Sequence, residues 1–244
     1  MLSKSKAKYI QSLGHKKQRD EEGRFTAEGP KIIDELLQSV PGMFEEIFAI
    51  REWIDINPGP LAEIPVTEVT KDELERISQL KTPNQVLAVL RKLHADTTPV
   101  VNGRITIVLD TIQDPGNLGT IIRIADWFGI TQIVCSHECA DVYNPKVVQA
   151  SMGSVARVHV IYTDLPEWLA QHQDVPVYAT MLSGSDVETI GKIKEGIIII
   201  GNESKGISED VSGFAKERIT ITRKGSAESL NAAVAAGIVL SRIV

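Results

Sequence analysis

Gly196-Ile197-Ile198-Ile199-Ile200-Gly201-Asn202-Glu203-Ser204-Lys205-Gly206-Ile207 is the stretch on which the fold turns. Four consecutive isoleucines have no polar alternation, so the run reads as a strand covered on both faces, as in a parallel sheet. It opens directly into a polar, glycine-bearing loop ahead of a helical pattern. Sheets of this class bind ligands beyond the carboxyl ends of their strands, which makes Glu203 and Lys205 candidates for chemistry rather than loop filler. The spacing of a phosphate-binding P-loop is not present.

Working outward, the C-terminal half repeats the same rhythm. Short β-rich runs at 105–109, 132–135, 157–161, 177–180, 197–200 and 218–220 are separated by helical stretches around 118–128, 144–150, 164–171, 207–214 and 229–243. Alternation of this kind predicts an α/β domain with a parallel sheet covered on both faces. Two further segments follow strands. Asp110-Thr111-Ile112-Gln113-Asp114-Pro115-Gly116-Asn117-Leu118-Gly119-Thr120-Ile121-Ile122-Arg123 turns at Pro115-Gly116, and the sequence predicts Asn117 as the N-cap of the next helix. Its two glycines do not make the dinucleotide fingerprint, which weakens an oxidoreductase reading. Ser229-Leu230-Asn231 precedes an alanine-rich helix, where side chains cap and free N–H groups can hold an anion.

The N-terminal half has another grammar. Helical patterns at 3–13 and 30–39, a helix capped by Thr70, and strand-like pieces at 24–29, 46–50, 64–69 and 86–90 suggest a small α/β/α domain. The division is residues 1–95, a linker over 96–103 containing the turn-type Asn102-Gly103, and 104–244. The chain of 244 residues has a net charge of −6, which argues against indiscriminate nucleic-acid binding. Lys4, Lys6, Lys8, Lys16, Lys17 and Arg19, however, all precede the first acidic residue, Asp20, and form a basic arm.

The two cysteines, Cys135 and Cys139, flank His137 without a second ligand cluster, so they read as reduced thiols and no metal is expected. The longest aliphatic run falls far short of the roughly 20 residues of a membrane span. The N-terminus lacks the apolar core of a secretory signal, so a cytoplasmic location is the default.

Asn117…Arg123, Gly201-Asn202-Glu203…Gly206 and Ser229-Leu230-Asn231, with Asn144-Pro145-Lys146 and Ser151-Met152-Gly153-Ser154 between them, together resemble the signature of the SpoU (TrmH) RNA 2′-O-ribose methyltransferases of the SPOUT superfamily. More diffusely, Lys16-Lys17-Gln18-Arg19, the pattern from Gly23 to Lys31, and Thr70 with Glu73-Leu74 are similar to the L30e-like RNA substrate-binding domain carried by such enzymes. The resemblance implies a deep trefoil knot in the C-terminal domain, a homodimer with composite sites, S-adenosylmethionine as cofactor and RNA, ribosomal in preference to transfer RNA, as partner. It implies cofactor contacts from the backbone of Thr180, Gly201, Ile221 and Leu230. It implies a catalytic group of Arg123, Glu203, Ser229 and Asn231, supported by Asn117, with Glu203 fixing Arg123 or Asn231. Arg123 acts either as a base or by stabilising alkoxide charge; a guanidinium stays protonated, which favours the second role. The alternative from another class is a non-catalytic RNA-binding module, which predicts no cofactor binding.

Overall fold

The structure, a computed structural model, describes residues 2–58, 63–93 and 98–244. Residues 96–97 of the expected linker lie outside the described residues. The chain divides into two compact units, residues 1–94 with 141–156, and residues 95–140 with 157–244.

In the first unit α1 (Lys4–Ser12) and α2 (Lys16–Glu22) lead into β1 (Arg24–Glu28), α3 (Pro30–Ser39), β2 (Phe44–Ala49), α4 (Arg51–Ile56), β3 (Val66–Glu68), α5 (Lys71–Ile77) and β4 (Val86–Arg91). The sheet order is β1-β4-β2-β3, antiparallel except for the parallel β2–β3 pair. Ile32, Ile33, Leu36 and Leu37 form the buried face of α3, as their spacing predicts. Thr70 caps α5 in a reciprocal capping box with Glu73.

The second unit begins with β5 (Ile105–Leu109), α6 (Pro115–Trp127) and β6 (Gln132–Cys135). Then α7 (Pro145–Ser151) packs within the first unit, against β1. The second unit resumes with β7 (His159–Tyr162), α8 (Leu165–Ala170), β8 (Val177–Asp186), β9 (Gly196–Ile200), α9 (Glu209–Ser212), β10 (Glu217–Thr220) and α10 (Ala232–Ile243). Its six-stranded sheet runs β10-β8-β9-β5-β6-β7, and every pairing is parallel. All five residues of β9 are buried, which is why that run is apolar on both faces. Because all strands point the same way, the segments leaving β5, β6, β8, β9 and β10 emerge on one sheet edge.

The strand β8 is longer than its apolar run predicts. Ala179 pairs with Arg218 but Ser185 with the very next residue, Ile219, so 180–184 arch away from β10. Gly184 permits the return: a Cβ there would lie 2.3 Å from the Arg218 carbonyl oxygen. Among the described residues no helix is long and apolar enough to cross a membrane.

Candidate active site

The site begins with a correction at the start of α6. Asn117 is not the N-cap. Asp114 holds that position, accepting from the Asn117 N–H at 2.8 Å, and Pro115 fills the first helical turn, where its missing N–H costs nothing. Relieved of capping, the Asn117 side chain reaches across the sheet edge. Its Nδ2 donates to Glu203 Oε1, and its Oδ1 accepts from Asn231 Nδ2 at 2.8 Å. Asn231 is itself the N-cap of α10, accepting from the Ala233 and Val234 N–H groups at 3.0 and 3.2 Å. Three residues spread over 114 positions of sequence therefore form one hydrogen-bonded chain, Asn231–Asn117–Glu203.

Glu203 sits in a tight loop. The Asn202 and Gly206 backbones bond reciprocally at 3.0 and 2.9 Å, and Asn202 Oδ1 accepts from the Ser204 and Lys205 N–H groups. Gly201 is required by this closure, since a Cβ there would lie 2.4 Å from the Gly206 carbonyl carbon. Glu203 Oε2 has no hydrogen-bond partner among the described residues.

The other candidates stand apart from this chain. Arg123 is exposed on α6 and makes no hydrogen bond or ion pair among the described residues, so Glu203 does not hold it here. Six residues on from Asn117, it lies about 120° around the helix, on a different face. Ser229 is exposed and likewise unbonded.

Gly201 directly follows β9 and Ile221 directly follows β10, Thr180 lies in β8 where that strand parts from β10, and Leu230 lies in the segment between β10 and α10. Thr180 Oγ1 donates to the Ile199 carbonyl at 2.9 Å, and Thr222 Oγ1 ties the 221–230 loop to Asp186. That bond and the Glu188 N–H hold the Asp186 carboxyl below the usual range. From Arg223 to Leu230 no main-chain N–H bonds another backbone group among the described residues. Leu182 in the β8 arch and Leu230 at the end of this stretch are 82% and 45% exposed.

Sequence reasoning missed Asp110, Thr111 and Ser136, which lie below the loops. The signal available was a buried acid directly after β5. Cys135 and Cys139 are free and buried, and burial pushes the Cys135 thiol well up.

Fold and site together define an α/β protein with a candidate site on one edge of a parallel sheet, built from loops and helix starts distant in sequence. The chain belongs to the SpoU rRNA methylase family, whose sequence model matches residues 104–241; that of the MRM3-like substrate binding domain matches residues 4–88. It is 31% identical over 238 residues to the 23S rRNA (guanosine(2553)-2′-O)-methyltransferase RlmP of Bacillus subtilis, covering 96% of this chain and 94% of that protein. Its structure is similar to that of a TrmH-family RNA methyltransferase from Porphyromonas gingivalis, with 37% identity, a TM-score of 0.87 and coverage of 99% and 98%. The AdoMet-bound rRNA methyltransferase from Sinorhizobium meliloti gives 31% identity, a TM-score of 0.84 and coverage of 99% and 95%.

Proposed function

We propose that this chain transfers a methyl group from S-adenosylmethionine to a ribose 2′-hydroxyl in RNA, ribosomal RNA in preference to transfer RNA. The observation that carries the reading is the Asn231–Asn117–Glu203 chain at the sheet edge. The N–H groups of 223–230, without backbone partners among the described residues, and the exposed Leu182 and Leu230 suit a ligand with a carboxylate, hydroxyls and an aromatic base. The backbone of Thr180, Gly201, Ile221 and Leu230 would hold the cofactor, which supplies a methyl carbon made electrophilic by its sulfonium charge.

The chain's own residues then have separable tasks. Attack by the 2′-oxygen forms the C–O bond, breaks the C–S bond and releases one proton. A ribose hydroxyl is a weak acid, so the site must take that proton or stabilise the oxygen's charge as attack proceeds. The unpartnered Glu203 Oε2 receives the proton while Asn117 fixes the other carboxylate oxygen. Asn231 and Ser229 orient the ribose, and Arg123 neutralises phosphate or alkoxide charge.

Arg123 is exposed and off the Asn117 face, so this task assigns it to the site of a second copy in a homodimer. Trp127 at the end of α6 and Val234 on α10, 86% and 52% exposed on helices that pack together, provide apolar surface for that contact. Likeness to the family's structures supports a trefoil knot in the second unit and an L30e-like first unit that grips RNA. The protein works in the cytoplasm, where its substrate is made.

Labelled methyl transfer from S-adenosylmethionine to ribosomal RNA, followed by mapping of the 2′-O-methyl nucleotide, tests the reading. Incorporation into ribose of one ribosomal RNA site is expected; label confined to bases, or none, overturns it. A non-catalytic RNA-binding module would show no calorimetric signal with S-adenosylmethionine.

A further inference from the structure

Beneath the Glu203 loop, the ends of β5, β6 and β9 are joined by a group of buried polar contacts. Asp110 is 4% exposed and makes no ion pair among the described residues. Its Oδ2 accepts from the Ser208 N–H at 2.7 Å and its Oδ1 from Thr111 Oγ1 at 2.9 Å. Thr111 has φ of 60°, a left-handed conformation that a β-branched residue adopts only when its surroundings impose it. They do: its N–H donates to Ser136 Oγ at 3.1 Å, and its carbonyl accepts from Asn202 Nδ2 at 2.8 Å.

The loop that carries Glu203 is therefore held at two points. Asn202, immediately before Glu203, hangs from the Thr111 carbonyl; Ser208, after it, is bonded to the Asp110 carboxylate. Burying a carboxylate without a cation is costly unless each oxygen finds a donor. The Asp110 carboxylate offers one oxygen to each donor, Ser208 N–H and Thr111 Oγ1, so both of its oxygens are satisfied without a cation. We propose that Asp110 is a positioning residue: with Thr111 it clamps the 201–208 loop and thereby holds the Glu203 carboxylate against Asn117. This rests on the methyl-transfer reading only for its kinetic consequence, because the clamp itself is a statement about the loop.

The test uses the full chain with Asp110→Ala and Ser208→Pro. The second removes the N–H donor, together with a hydroxyl that caps no N–H of α9, and puts the proline ring in its place, at a residue whose φ of −61° already suits proline. Hydrogen exchange should accelerate by about tenfold or more at 202–207 in either variant, with β5 and β9 unchanged. At saturating substrates kcat should fall about tenfold to a hundredfold, with KM for RNA within about twofold of the parent. The double variant should be no worse than the Asp110 variant alone by more than about twofold, because both break the Ser208–Asp110 bond.

Unchanged loop exchange in both variants, or multiplicative losses in the double variant, would overturn the clamp. If Asp110→Ala accelerates exchange everywhere, Ser208→Pro decides alone. A parent protein that exchanges as expected but transfers no methyl sinks the catalytic reading and leaves the clamp standing.

Discussion

Asn117 uses both ends of its amide, donating to Glu203 and accepting from Asn231. Asn117→Asp replaces the donor with a second carboxylate facing the first. Two acids at hydrogen-bond distance cannot both ionise easily, so one pKa of the pair is raised. Methyl transfer should drop about tenfold or more at pH 8 and recover in part as pH falls and the pair holds one proton. A pH–rate profile parallel to the parent's would remove Asn117 from the chain of polar contacts. A second buried acid, Glu28, tests linkage far from the site. Burial raises its pKa, although the Ser78 hydroxyl and Gln79 N–H oppose the shift. The folded state thus holds this proton more tightly than the unfolded chain does. Stability therefore falls as pH rises from the unfolded value through the raised one, where the unfolded chain has released the proton and the native state still holds it; outside that window both states bind equally and the dependence vanishes. Glu28→Gln should therefore melt higher than the parent at pH 8, with a shallower slope of melting temperature between pH 5 and 8. Equal slopes would mean that folding leaves the Glu28 proton affinity unchanged, and a steeper slope in the variant that the charged form is the one stabilised.

At the scale of elements, two helix caps predict different outcomes. Thr70→Ala breaks the capping box of α5 and Asp114→Ala uncaps α6, each costing about 1 kcal/mol by chemical denaturation. Only Asp114→Ala should also lower kcat, because the first turn of α6 carries Asn117; equal turnover in both would show that the cap does not set the asparagine. The same turn shows what the sequence conveyed. Apolar runs named β5, β6 and β9 almost to the residue, because burial on both faces leaves no other composition. The start of α6 was misplaced: Asp114, Pro115 and Asn117 are all cap-type residues, and only the observed Asp114–Asn117 bond chooses among them. α2, Lys-Lys-Gln-Arg-Asp-Glu-Glu, has no apolar periodicity to read. The second half of β8, Leu182-Ser183-Gly184-Ser185-Asp186, is mostly exposed and depends on pairing with β10, a partner that local pattern does not reveal. At the site, residue types were legible from motif spacing. That Asn117 rather than Arg123 bonds Glu203 was not, since it depends on which face of α6 meets the loop.

The charge pattern of the whole molecule also looks different once burial is known. Of the basic arm, Arg19 is 1% exposed, bonding the Leu13 and Gly14 carbonyls and pairing with Asp141 at 2.5 Å, while Lys6 pairs with Glu46. Arg19 therefore ties the arm to the 141–156 segment inside the first unit, and Arg19→Ala should cost about 3–5 kcal/mol by leaving Asp141 without its cation. Lys4, Lys8 and Lys16 are exposed and free of ion pairs among the described residues, so they are the members available to RNA. Their joint replacement by alanine should leave melting unchanged and lower the log–log salt slope of RNA binding by roughly one unit per lost contact. An unchanged slope would place the RNA elsewhere. The proposed homodimer gives the last test. If Arg123 serves the site of the other protomer, Arg123→Ala and Asn117→Ala are each inactive alone, yet each supplies what the other lacks. A mixed dimer then has one site with Asn117 from the first variant and Arg123 from the second, while its other site lacks both. Co-expression in equal amounts makes about half of the dimers mixed, so about a quarter of the parent activity should return. No recovery from co-purified, stably dimeric mixtures would assign Arg123 to the site of its own chain, which requires α6 to turn its Arg123 face toward Glu203 when substrate binds.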